Sequence, residues 1–335
     1  MNAPERTTTA VRDEDSRSKP LAFLQRYGRE VGLPVIVVAM MVFFSLNSAV
    51  FLSASNFRNI GVSAAALAAV SFGQTFAILT AGLDLSVGAI VALVSIVGAL
   101  VMRDHGVAAG VMAALLTGAA VGLVNGVVVT RLKVFPFIAT LAMMSIVSGL
   151  ALSLSGGVAV TGVPDDFSSM AYARVSGIPI PVLIAVAVLA ICIVVLRFTK
   201  LGRRIYAVGG NEEAARLSGI SIDAVKMAAY VLSGFCAAVG SLILTARVAS
   251  GQPSLGVTLP LESVAAVVLG GVSLFGGRGS VVGVAFGVLF ISILSNGLNL
   301  LNVPSYTQMM VIGGALILAV SLDQTFIGSR FGKRS

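Results

Sequence analysis

The sequence predicts an all-α polytopic membrane protein of about ten transmembrane helices, with a possible five-plus-five inverted repeat and a cytoplasmic coupling helix. Three observations predict it. Hydrophobic residues make up 57% of the 335-residue chain and charged residues only 11%, with a mean hydropathy of +1.01, whereas a soluble domain carries about 25% charged residues. Apolar runs of membrane-spanning length, about 20 residues, recur along the chain. The basic residues also fall almost entirely on one side of the bilayer once those runs are counted.

The spans read as 33–52, 60–81, 86–102, 107–129, 134–155, 178–196, 224–246, 261–276, 280–299 and 304–322. The third and eighth are short and glycine-flanked, which suits tilted, broken or re-entrant helices. With the N-terminus cytoplasmic, only Arg58, Arg103, Arg174 and Arg247 fall outside, leaving 18 of the 22 basic residues inside. That split favours an even span number with both termini cytoplasmic. Residues 1–30 are expected to be a disordered cytoplasmic tail: residues 1–20 are polar and carry no apolar core of a signal peptide. A single transmembrane domain over 31–325 and a basic cytoplasmic tail over 326–335 complete the layout. Membrane lipid is the expected surrounding of the bundle.

The +8 charge does not point to nucleic acid, because the basic residues are scattered over short loops without interleaved aromatics. Cys192 and Cys236 lie inside apolar runs, and His105 sits in the polar connector Arg103-Asp104-His105-Gly106. No metal-ligand spacing, Ser–His pair or paired intramembrane carboxylate is present, so neither a metal nor a catalytic residue is assigned. The nearest thing to a phosphate loop, Gly276-Gly277-Arg278-Gly279-Ser280, has arginine in place of lysine and lacks the spacing. The chain is read as a non-enzyme that binds no cofactor.

Two glycine ladders occur at four-residue intervals: Gly118, Gly122 and Gly126 in the fourth span, and Gly279, Gly283 and Gly287 at the start of the ninth. Such ladders clear a helix face for close packing, or flank a translocation path. Each occupies the fourth span of a five-span half, as an inverted repeat would place it.

Polar groups inside apolar runs are few. Asp84, in Gly82-Leu83-Asp84-Leu85-Ser86-Val87-Gly88, reads as an N-cap of the third span or as a gate at a broken helix. Glu262 follows Pro260 and suits helix initiation or a place in the path. Ser71, Gln74, Thr75, Asn125, Asn296 and Asn299 are neutral hydrogen-bonding groups, as a path for an uncharged, hydroxyl-rich solute would need, or as interhelical hydrogen bonds would use. An ion-coupled secondary transporter is the alternative, and the scarcity of buried acids counts against it.

One stretch breaks the apolar pattern. Lys200–Lys226 holds eight charged side chains. Within it Asn211 is an N-cap, Glu212 and Glu213 charge the first turn, Ala214 and Ala215 favour helix, Arg216 and Leu217 follow, and Ser218-Gly219 closes it. A helix this short needs an external hold, from the membrane surface or a partner protein.

These residues also carry a resemblance. Ala81–Gly88, Gly209-Gly210-Asn211-Glu212-Glu213-Ala214-Ala215-Arg216-Leu217-Ser218-Gly219-Ile220, Ala265–Gly271, Ser273–Gly279 and Asn296–Leu300 are similar to the motifs of the membrane-spanning permeases of bacterial ribose-type monosaccharide ABC importers, over roughly residues 60–322. The resemblance implies an inner-membrane permease working as a homodimer or with a close relative. It implies two ATPase subunits that hydrolyse ATP and dock on the loop helix Gly210–Gly219 (loop 197–223), and a periplasmic sugar-binding protein. The expected cargo is a neutral monosaccharide; nucleosides, quorum-signal sugars and branched-chain amino acids are carried by related permeases.

Overall fold

The computed structural model describes residues 19–331 and is helical almost throughout. The first helix, α1, covers Lys19–Asn47. It starts inside the expected disordered tail, so residues 19–30 are helical; 1–18 lie outside the described residues. It also stops short of residue 52: Ser48–Ser53 form a turn that tucks Phe51 into the interior.

Next come α2 (Ala54–Leu79) and α3 (Val87–His105), the centre of the bundle. Along its apolar window α2 is 89% buried, against 22% for α5. The run Ala64-Ala65-Ala66-Leu67-Ala68-Ala69 explains this, because small side chains let neighbours approach α2 from every side. The outer helices α4 (Val107–Thr130), α5 (Pro136–Ser155) and α7 (Ile180–Phe198) instead expose Leu116, Leu123, Ile138, Ile146, Ile191 and Val194. An apolar exposed face is what lipid solvates. Between α5 and α7, the connector 156–177 holds the short α6 (Asp165–Ser168), a 3₁₀ turn and a two-stranded hairpin, β1 (Arg174–Val175) with β2 (Ile178–Pro179). Nothing in the apolar periodicity announced that hairpin.

The second half holds α8 (Lys200–Gly210), α9 (Glu212–Leu217), α10 (Ile222–Val248), α11 (Leu259–Leu269), α12 (Val281–Leu300) and α13 (Ser305–Phe331). Each of the ten expected spans overlaps a helix, and seven helices among the described residues are long and apolar enough to cross a membrane. Of the two short spans, the third is full length. The eighth is not: α11 has 11 residues, about 16 Å at 1.5 Å per residue, and cannot cross about 30 Å of hydrocarbon. The residues after Leu269, expected to continue it, leave the helix at Gly270 and Gly271. Helix α13 runs through residue 326 to Phe331, so the expected tail boundary also falls within a helix.

Helix α10 packs along α4. A methyl group on Gly118 would meet the Gly234 carbonyl, one on Gly122 the Tyr230 carbonyl, and one on Gly126 the Met227 backbone. The first ladder thus faces the α10 backbone. The second ladder is only partly a helix feature. Gly283 and Gly287 of α12 lie against Gly270, just past the end of α11, and Ala266 within it, but Gly279 precedes α12 with φ of 131°.

Candidate coupling surface and buried polar cluster

Helix α8 was not foreseen, although its signals are in the sequence. Thr199 caps it, its Oγ1 accepting from the Gly202 N–H at 3.2 Å, and Ile205 and Val208 bury one face while Arg203 and Arg204 stay exposed. Asn211 then ends α8 and starts α9 at once. Its Oδ1 accepts from the Ala214 N–H at 2.9 Å. At the far end Gly219 turns left-handed with φ of 77°. Its N–H reaches the Arg216 carbonyl at 2.9 Å, and the Ile220 N–H reaches the Ala215 carbonyl at 3.1 Å. That pair of bonds is a Schellman closure, which satisfies carbonyls that a six-residue helix would leave bare.

The side chains of α9 divide sharply. Ala215 is buried against the body, while Leu217 is 82% exposed. Glu212 accepts from Lys226 of α10 at 2.6 Å, and Arg216 lies 3.8 Å from Glu212 and 4.0 Å from Glu213. Gly210, Ala214 and Ser218 are exposed beside them. The result is a short capped helix, fastened at Ala215 and Lys226, that offers an apolar knob among paired charges.

A loop from a distant part of the chain supports it. Residues 270–279 fold on themselves through Ser273 N–H to Arg278 carbonyl and Gly276 N–H to Ser273 carbonyl, both 3.0 Å. The Gly277 N–H donates to the Leu79 carbonyl at 2.9 Å, and the Tyr206 hydroxyl donates to the Gly279 carbonyl at 2.9 Å. Gly209 sits where any side chain would collide with Leu79 and Gly277. Three motifs separated in sequence (81–88, 209–220 and 273–279) therefore converge on the end of α2.

One layer deeper lies the buried polar cluster. Asp84 is wholly buried in the link between α2 and α3. Its Oδ1 accepts from the Ser86 N–H (3.1 Å) and Ser86 Oγ (2.6 Å), with Asn125 Nδ2 at 3.4 Å. Its Oδ2 accepts from Ser233 Oγ of α10 at 2.8 Å, and Asn125 Nδ2 also donates to Ser86 Oγ at 2.8 Å. Assigning the Gln74 amide to satisfy both partners lets it donate to the Asp84 carbonyl (3.1 Å) and accept from the Asp84 N–H (3.3 Å). Asp84 is thus not the N-cap of α3; Ser86 holds that position. Instead the carboxylate gathers hydroxyl, amide and backbone donors from α4, α10 and its own link, with no basic side chain paired to it among the described residues.

The other polar residues scatter. Thr75 Oγ1 turns back to the Ser71 carbonyl at 2.8 Å, and Ser71 Oγ is buried without a hydrogen-bond partner among the described residues. Asn296 and Asn56 exchange two amide bonds at 2.9 and 3.0 Å, joining α12 to α2. Asn299 Oδ1 accepts from Gln308 at 2.8 Å. Glu262 lies in the first turn of α11 beside Thr258. The link 249–258 descends along α3, with Gly251 against Ser95 and Gly256 against Gly88 and Val91, so α11 begins inside the bundle next to the start of α3. Sequence reasoning passed over Ser86 and Ser233, because an isolated serine in an apolar run carries no signal of its own.

Buried central helices, an outer ring with exposed apolar faces, a half-length internal helix and a fastened surface helix are the architecture of a polytopic membrane protein. Residues 56–320 match the family described as the branched-chain amino acid transport system / permease component. The chain belongs to that family, with the ribose-type permeases its motifs resemble. It is 40% identical to the ribose import permease RbsC of Bacillus subtilis over 95% of this chain and 98% of that one. It is 37% identical to the D-allose transport system permease AlsC of Escherichia coli, again over 95% and 98%. With the L-arabinose permease AraH of Escherichia coli it shares 38% identity over 89% of this chain and 90% of the relative. No solved structure matches it.

Proposed function

We propose that this chain is the permease subunit of an ATP-driven importer that carries a neutral monosaccharide, ribose-like pentose or hexose, across the bacterial inner membrane. The observation that carries the reading is α9, a capped helix held at Ala215 and presenting Leu217 outward. A knob of this kind fits a cleft on a separate ATPase, and Glu213 and Arg216 are placed to form ion pairs across that interface. The relatives named for ribose, allose and arabinose support the sugar class over the branched-chain amino acids in the family's description. A zwitterion would also want fixed charge of both signs inside the bundle. Asp84 is the wholly buried acid among the described residues, and its oxygens are already taken up by donors.

In this reading both termini are cytoplasmic, ten helices cross or enter the membrane, and the two halves form an inverted repeat. A second permease copy completes the channel, and a periplasmic binding protein delivers the sugar. ATP-driven closure moves α8 and α9 as one lever against the 270–279 loop and the end of α2. The test is uptake of labelled sugar in right-side-out vesicles containing the full assembly, with ATP supplied inside and the binding protein outside. Replacing Glu212, Glu213 and Arg216 together should abolish uptake while the chain still inserts; normal uptake in that variant would remove the lever role. Uptake that persists without ATP and collapses with the proton gradient would instead favour an ion-coupled transporter.

A further inference from the structure

Where α7, α8 and the start of α12 meet there is a cleft of about 250 Å³, lined by Ile193, Leu196, Arg197, Tyr206, Ser280, Val281 and Val282. Its walls are of two kinds. Ile193 and Leu196 of α7 and Val281 and Val282 of α12 are apolar, and Val282 shares its face of α12 with Phe286 and Leu289, which are exposed apolar side chains. The rim is polar and basic. Arg197 lies in the last turn of α7, its guanidinium carbon 6.0 Å from the centre of the exposed Phe198 ring.

The charge on the segments that adjoin the cleft, the end of α7, α8 and the loop before α12, is unbalanced. Arg216 and Lys226 are paired with glutamates one helix away, and Arg103 with Asp104. Arg197, Lys200, Arg203, Arg204 and Arg278 make no ion pair among the described residues. Nor does any of the five side chains donate a hydrogen bond there. Tyr206 spends its hydroxyl on the Gly279 carbonyl, which leaves Arg197 as the strongest free donor at the cleft. A cleft with Arg197 at the end of α7 and an apolar wall that runs on along the exposed face of α12 matches one ligand chemistry, a phosphodiester headgroup with acyl chains attached.

We propose that this cleft is a binding site for an anionic phospholipid, whose phosphate meets Arg197 and whose chain lies between α7 and α12. An acidic protein surface would satisfy the arginines but not the apolar wall. The site requires only that the chain sits in a membrane, so it stands or falls separately from the cargo. Because Tyr206 ties α8 to the loop before α12, a lipid seated there would brace the junction through which α9 is held.

Native mass spectrometry of the detergent-purified assembly, equilibrated with phosphatidylglycerol or phosphatidylcholine, tests this. The assembly should retain phosphatidylglycerol in preference to phosphatidylcholine. Arg197→Gln should weaken that retention about five-fold, the effect of one basic residue near an anionic surface. Arg131→Gln, at an exposed helix end without the cleft, should not. Equal retention by Arg197→Gln and the parent would overturn the site. Displacement of the lipid by millimolar inorganic phosphate would reassign it to free phosphate. Ile193→Cys forming a disulfide-linked dimer with no lipid retained would give the cleft to a second copy of the chain. All three variants are at partly or fully exposed positions, so monodisperse elution is the check that they fold.

Discussion

The amide of Gly277 donates to the carbonyl of Leu79 across 2.9 Å, tying the loop before α12 to the last turn of α2. Carbonyls at a helix end have no intrahelical partner, and here the partner comes from almost two hundred positions away in the chain. Gly209 of α8 is wedged against both residues. The end of the most buried helix, the surface helix pair and the glycine-rich loop thus share one junction, and movement of α8 cannot bypass α2.

Gly209→Ala should therefore be costly although the position is near the surface. The added methyl would strike backbone atoms that cannot rotate away, and overpacking of this kind costs about 1–3 kcal/mol. Gly210→Ala, where nothing lies within 4 Å, should be tolerated. Thermal melting of the purified variants separates the two, and equal melting temperatures would show that the junction is loose.

Asp84 is expected to matter for assembly of the bundle as much as for transport. Asp84→Ala would strip the acceptor from Ser86 and Ser233 in a buried site, and each orphaned group costs about 1–3 kcal/mol. Asp84→Asn keeps the shape but turns an amide donor toward hydroxyls already donating. Both should lower the melting temperature, the alanine variant more. A stable Asp84→Ala with lost uptake would assign the residue to the path instead.

The paired amides of Asn56 and Asn296 should behave as a fastening between α2 and α12. A double-mutant cycle to alanine should return a coupling of about 0.5–2 kcal/mol, the range for interhelical hydrogen bonds in membranes. Uptake by Asn296→Ala should stay close to normal at a permissive temperature. A large change in the substrate affinity of that variant would place Asn296 in the path.

Capping should control the order of α9. Asn211→Ala removes the acceptor for the Ala214 N–H at a cost of about 1 kcal/mol, a large share of what a six-residue helix can hold. Amide exchange across residues 212–218 should speed up several-fold while α10 is unchanged. Unaltered exchange would mean that packing at Ala215 alone maintains the helix.

Gly122→Ala on α4 and Gly149→Ala on α5 form a matched pair of buried and open glycines. The first would press on the Tyr230 carbonyl and should destabilise; the second meets nothing within 4 Å. Alanine is the better helix former by about 1 kcal/mol, so Gly149→Ala should be neutral or slightly stabilising in the same melting assay.

By itself the sequence determined the helical class, the approximate position of nearly every apolar helix, the family and the form of α9. These follow from local causes: hydrophobic runs of a set length, a cap residue followed by acids, and a glycine able to turn left-handed at residue 219. Tertiary structure decided the rest. Whether a serine in an apolar run faces lipid or Asp84 depends on helix rotation and on what packs there, which is why Ser86 and Ser233 went unnoticed. The same holds for Asn296, whose amide is spoken for by Asn56, and for α11, whose apolar run continues past the point where Gly270 and the neighbouring α12 end the helix. Local chemistry is written in adjacent residues, whereas the partner of a buried polar group is set by residues far away in the chain, and only the folded bundle brings them together.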